Sequence, residues 1–91
     1  MAPVNRNLSL RGLRTFCIAA ELESFRDAAD QLFLTASAVS HQIKNLEAEL
    51  GKKLFTRGNR GNSLTADGER LFNDIHPLIN ELDAVAMQHS A

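Results

Sequence analysis

Between Thr35 and Gly51 the apolar residues Val39, Ile43, Leu46 and Leu50 recur in steps of four, three and four. That spacing draws one apolar stripe along an α-helix of about 3.6 residues per turn. Thr35 offers an N-cap oxygen, and Gly51 can turn left-handed after the last turn. The pattern therefore predicts a helix running to Leu50 with its inner side fixed. At about 100° per residue, Ser37, His41, Lys44 and Ala48 fall on the opposite side, with Ser40 on its flank and Gln42 off its centre.

The flanking segments complete a helical unit. Leu10, Leu13, Phe16, Cys17 and Ala20 form the stripe of a first helix, capped by Ser9 and ending near Leu22–Glu23. Ser24, with Asp27 three residues on, opens a second, whose inner side is Ala28, Ala29 and Leu32 and which ends around Phe33. Only Phe33–Thr35 separates it from the third, and the two alanines let the axes approach closely. Residues 52–65 lose the helical period, and Gly58–Gly61 reads as the turn of a short hairpin. Thr65 caps a last helix with Asp67 and Glu69 in its first turn, where acids suit the helix dipole. Its residues Leu71, Ile75, Leu78, Leu82 and Val85 make a heptad-like seam, with Pro77 expected to kink it. Three packed helices leave too little surface to absorb five seam positions, so pairing with a second copy is expected. The expected divisions are a flexible arm at 1–8, a folded unit at 9–65 and a linker helix at 66–91.

Charge narrows the function. The net charge is −1, but it is graded along the chain. Residues 1–40 are neutral, residues 41–60 carry +3 and residues 61–91 carry −4. Within the basic stretch Lys52, Lys53, Arg57 and Arg60 have no acid among them, which suits a local anionic contact. Glu47 and Glu49 would repel phosphate and are expected to point out of any groove. Arg6, Arg11 and Arg14 are candidates either for phosphate contact or for an ordinary solvated face. The longest early apolar run, Phe16–Ala20, falls far short of the roughly 20 residues of a membrane span. Neither a signal peptide nor a membrane contact is expected. The single cysteine, Cys17, reads as a small buried hydrophobe in a reducing, cytoplasmic setting.

Catalytic and metal chemistry find no support. Ser40 and His41 diverge by about 100° on a helix and have no third group to orient them. His76, His89, Asp74 and Asp83 lack ligand spacing, and both histidines are expected to face water. No cofactor and no enzymatic activity are expected.

Three helices, the second and third in a tight turn, followed by a basic hairpin, describe a mainly α, winged helix-turn-helix fold with a long linker helix. Such a unit places its third helix in the DNA major groove, N-terminus first, with the hairpin wing on the backbone or minor groove. A winged helix used only for protein–protein assembly is the alternative. An RNA-binding reading is disfavoured because all five phenylalanines fall at or beside core-pattern positions.

The run SFRDAADQLFLTASAVSHQIKNLEAELGKKLF, followed by RGNRG and LTADGE, resembles the N-terminal DNA-binding domain of LysR-type transcriptional regulators over roughly residues 8–88. It is most similar to the branch containing the glycine-cleavage activator. The elements AAxxL, VSHQIKxLExxLG and LFxR occur in the order and spacing of that family. The resemblance implies a dimer on double-stranded DNA, at an interrupted, roughly two-fold symmetric promoter site. It places Thr35, Ala36, Ser37, Ser40 and His41 at the start of the recognition helix, with Lys44 further along. It places Lys53, Arg57 and Arg60 at the wing, and Leu71, Ile75, Leu78, Leu82 and Val85 in the dimerising helix. Relatives commonly carry glutamine where this chain has Ala36, so that position offers only van der Waals contact, for instance to a thymine methyl. A small-molecule effector is expected to act only through a C-terminal domain beyond this chain, which reads as an excised domain or a short relative.

Overall fold

A computed structural model describes residues 8–58 and 61–90. The expected arm, apart from Leu8, lies outside the described residues, as do Arg6 and the hairpin residue Arg60. The order is α1 (Leu10–Leu22), α2 (Phe25–Leu32), α3 (Ala36–Leu50), β1 (Phe55–Gly58), β2 (Gly61–Leu64) and α4 (Ala66–Gln88).

Each helix begins at a hydroxyl cap that satisfies a first-turn N–H. The Ser9 hydroxyl accepts from Gly12 at 3.1 Å, and Ser24, Thr35 and Thr65 accept from Asp27, Ala38 and Gly68 at 3.0 Å. Each such cap contributes about 1 kcal/mol. Left-handed residues end the first three helices: Glu23, Phe33 and Gly51, with φ of 53°, 58° and 70°. Only the last is a glycine, the residue that adopts this conformation without steric cost.

Phe16, Ala28, Val39 and Ile43 lie in the centre with no exposed surface. Ala28 and Ala29 supply the close approach of α2 to its neighbours, as their size predicts. The hairpin joins this core through Phe55, whose ring stands edge-on to Phe16 at 5.6 Å and to Phe25 at 5.0 Å. Strands β1 and β2 pair antiparallel, with Phe55 opposite Leu64 and Gly58 opposite Gly61.

Where β2 gives way to α4, the carbonyl of Leu54 accepts from the Thr65 N–H at 2.9 Å, while the Thr65 hydroxyl donates to the Lys53 carbonyl at 2.6 Å. Gly68 then packs directly over Leu54: a Cβ added there would lie 2.1 Å from the Leu54 carbonyl oxygen. Gly68→Ala should therefore destabilise the fold by about 1–3 kcal/mol despite alanine's better helix propensity. Urea unfolding checks this, and a variant as stable as the parent would show that the contact yields without cost.

Helix α4 runs through Pro77 as one element. The sequence stripe on it divides in two. Ile79 is buried and Phe72 and Ile75 are partly buried against the core, whereas Leu78, Leu82 and Val85 are exposed. Leu71 is also partly buried on its own domain. Two apolar rows thus share the helix, and Ile75 lies where they meet. Polar contacts hold α4 to α1. Asp83 receives Arg14 at 2.7 Å, so that arginine is tied within the fold. His76 pairs with Glu21 and stacks on Phe72, instead of standing in water as expected.

Candidate nucleic-acid interface

Burial of Val39, Ile43 and Leu46 turns the other side of α3 outward. Thr35, Ala36, Ser37, His41 and Lys44 are exposed there, and Ser40 is half-buried on the flank. No acid occupies the first turn, so the positive end of the helix dipole faces solvent without a counter-charge. The Thr35 hydroxyl already accepts from Ala38 as a cap; toward a phosphate oxygen, itself an acceptor, it still offers its O–H as a donor. Gln42 turns inward, and its Oε1 accepts from the buried Thr15 hydroxyl at 2.6 Å, which fixes α1 against α3.

A shallow groove between α3 and the start of the wing is lined by Lys44, Glu47, Ala48, Gly51, Lys52 and Lys53. Lys52 stands 3.9 Å from Asp67. Lys44 and Lys53 have no acidic partner among the described residues. Both stand beside the outward side of α3.

Glu47 is placed otherwise than its charge suggested. It is 5% exposed and turns into the protein. Its Oε2 accepts from the backbone N–H of Leu54 at 2.8 Å and of Phe55 at 3.3 Å, while Oε1 receives Arg57 at 3.2 Å. The main-chain carbonyl of the same residue accepts from Gly51 and Lys52. Burial pushes the Glu47 carboxyl up, but the Leu54 and Phe55 N–H groups and the Arg57 guanidinium outweigh it and hold it below the usual carboxylate range. Its sequence signal was its place four residues after Ile43, about 40° away on the same side of the helix. Glu49, half-buried, faces the cleft between α3 and the start of α1, beside Ser9, Arg11 and Gly12.

Arg57 accordingly serves the fold. Its guanidinium bridges Glu47 and the face of Phe25, 5.7 Å from the ring centroid, with its side chain 31% exposed. The structure thus brings Thr35, Ala36, Ser37, Ser40, His41, Lys44 and Lys53 to one surface, with Arg57 half-withdrawn at its margin. One residue was missed altogether: Phe33, placed with the core from its sequence position, is 95% exposed in the turn between α2 and α3.

Residues 10–69 match the family described as "Bacterial regulatory helix-turn-helix protein, lysR family". The chain is 51% identical over 73 residues to the glycine cleavage system transcriptional activator of Escherichia coli (strain K12), a stretch covering 80% of this chain and 24% of that protein. It therefore spans about a quarter of that relative's length. Its fold superposes on the crystal structure of the BenM_DBD/catB site 1 DNA complex with a TM-score of 0.82 and 36% identity, over 88% of this chain and 89% of that one. The CbnR_DBD–DNA complex gives a TM-score of 0.79 at 29% identity, over 88% and 92% of the two chains. These similarities cover the helix-turn-helix and wing together, the same stretch that carries the exposed surface of α3.

Proposed function

The chain belongs to the lysR family of bacterial regulatory helix-turn-helix proteins, and we propose that it is the DNA-binding part of a dimeric transcriptional regulator acting in the bacterial cytoplasm. Residues 9–65 are the DNA-binding unit and 66–91 the linker helix through which two copies pair. The observation that carries this reading is the outward, acid-free start of α3 beside Lys44 and Lys53, which have no acidic partner among the described residues. Helix α3 enters the major groove by its N-terminus, with Ala36, Ser37, Ser40 and His41 at base edges. Thr35, Lys44, Lys53, Arg57 and the hairpin residue Arg60 meet the sugar–phosphate backbone or the adjoining minor groove. Pairing through α4 presents two such units to an interrupted, two-fold symmetric site. Any small-molecule effector acts through a separate sensing domain. Among the described residues no helix is long and apolar enough to cross a membrane.

Selection of bound duplexes from a random pool, followed by titration across salt, tests the reading. Affinity should fall steeply with log[salt]. Lys53→Ala should weaken selected and random duplexes alike and reduce the salt slope by about 1, whereas Ser37→Ala should cost about 1–3 kcal/mol on the selected duplex and spare random DNA. Lys53 is the better probe than Arg57, whose loss would also disturb Glu47. A pool without enrichment, or binding indifferent to salt, would leave protein–protein assembly as the reading.

A further inference from the structure

Phe33 combines two local costs that the fold does not recover. Its backbone is left-handed, with φ 58° and ψ 40°, a conformation bulky side chains adopt rarely. Its ring is 95% exposed, so it gains nothing from burial. The strain is not needed for the turn itself. The contacts that end α2 are made by the Phe33 backbone N–H to Ala29 and Asp30, and asparagine or glycine would make them with less strain. A costly conformation at a site the fold does not require points to something outside the fold.

The position says what that is. Phe33 stands two residues before the Thr35 cap of α3 and three before Ala36. Two residues of chain span at most about 7 Å, so Phe33 sits beside the end of α3 assigned to the groove. A phenyl ring offers no hydrogen-bond donor to phosphate, and the base-edge feature it can recognise is the C5-methyl of thymine. Ala36, the first residue of α3, brings a second exposed apolar surface. We propose that Phe33 is a specificity-determining residue, its ring covering a thymine methyl at the rim of each half-site; this rests on the DNA-binding reading above.

The probes are duplexes that the parent chain selects from a random pool, and the same duplexes with deoxyuridine replacing thymidine one position at a time, which removes only the methyl group. Phe33→Ala should weaken the selected duplex about tenfold, the scale of one good base contact. One deoxyuridine per half-site should weaken the parent by a similar factor and leave Phe33→Ala no weaker than before. Lys53→Ala should remain sensitive to that deoxyuridine. Phe33→Asn should bind as poorly as Phe33→Ala while melting no lower than the parent, which separates lost contact from lost fold. Unchanged binding by Phe33→Ala overturns the proposal alone. Equal loss on thymidine and deoxyuridine duplexes overturns it in favour of a deoxyribose contact, and a lower melting temperature for Phe33→Asn overturns it in favour of a packing role. A parent chain that enriches no duplex removes the DNA-binding reading and this proposal together.

Discussion

Glu47→Ala is expected to lower the unfolding free energy by about 3–4 kcal/mol, a large share of what a domain of this size possesses. One carboxylate ends three donors: the Leu54 and Phe55 N–H groups and the Arg57 guanidinium. Leu54 and Phe55 are 1% and 3% exposed, so water cannot readily replace the lost acceptor. Most of the loss comes from those two orphaned N–H groups, since Arg57 retains partial access to solvent and the Phe25 face. Glu47→Gln keeps an acceptor and loses the charge; it should cost less. The two variants also separate by pH. The carboxyl of the folded protein is held below its ordinary value, so its contribution is complete above the ordinary carboxylate range and is lost as pH falls through the folded value. The parent should lose stability over that acidic range, and Glu47→Gln should lose less of it. Urea unfolding at a series of pH values reads both effects; a parent and a glutamine variant with parallel acid profiles would show that Glu47 is not the group responsible.

The way Glu47 is used explains which parts of this protein its sequence displayed. Helix boundaries were legible because they are written in local chemistry: Ser9, Ser24, Thr35 and Thr65 cap, and Gly51 stops. The hairpin was legible from its glycines, and the outward side of α3 from the apolar stripe opposite it. What stayed hidden depends on partners distant in sequence. Glu47 reads as a surface charge until β1 supplies N–H donors and a guanidinium. His76 reads as solvated until α1 brings Glu21 beside it. Arg14 reads as a possible phosphate contact until Asp83, far along the chain, takes it. Phe33 shows the converse error, since hydrophobicity alone assigned a core place to a residue whose backbone turns its ring to solvent.

The division of the α4 stripe carries the other large expectation. Leu78→Asp with Leu82→Asp should convert the proposed dimer into a folded monomer. These side chains are 59% and 42% exposed in the single chain, so charging them leaves the core intact. Between two copies they would lie in an apolar seam with Val85, where unpaired carboxylates are strongly disfavoured. Light scattering should report half the parent mass with an unchanged helical signal. Loss of pairing removes the advantage of holding two half-sites at once. Affinity for a selected duplex with both half-sites should then fall by about 10²–10⁴, while affinity for a single half-site stays near that of the parent. Ile75→Asp makes the informative contrast. Ile75 already packs against its own core, so that change should lower the melting temperature as well as weaken pairing. If the Leu78 and Leu82 double variant keeps the parent mass, the two copies meet through another surface, and the exposed row on α4 has a different purpose.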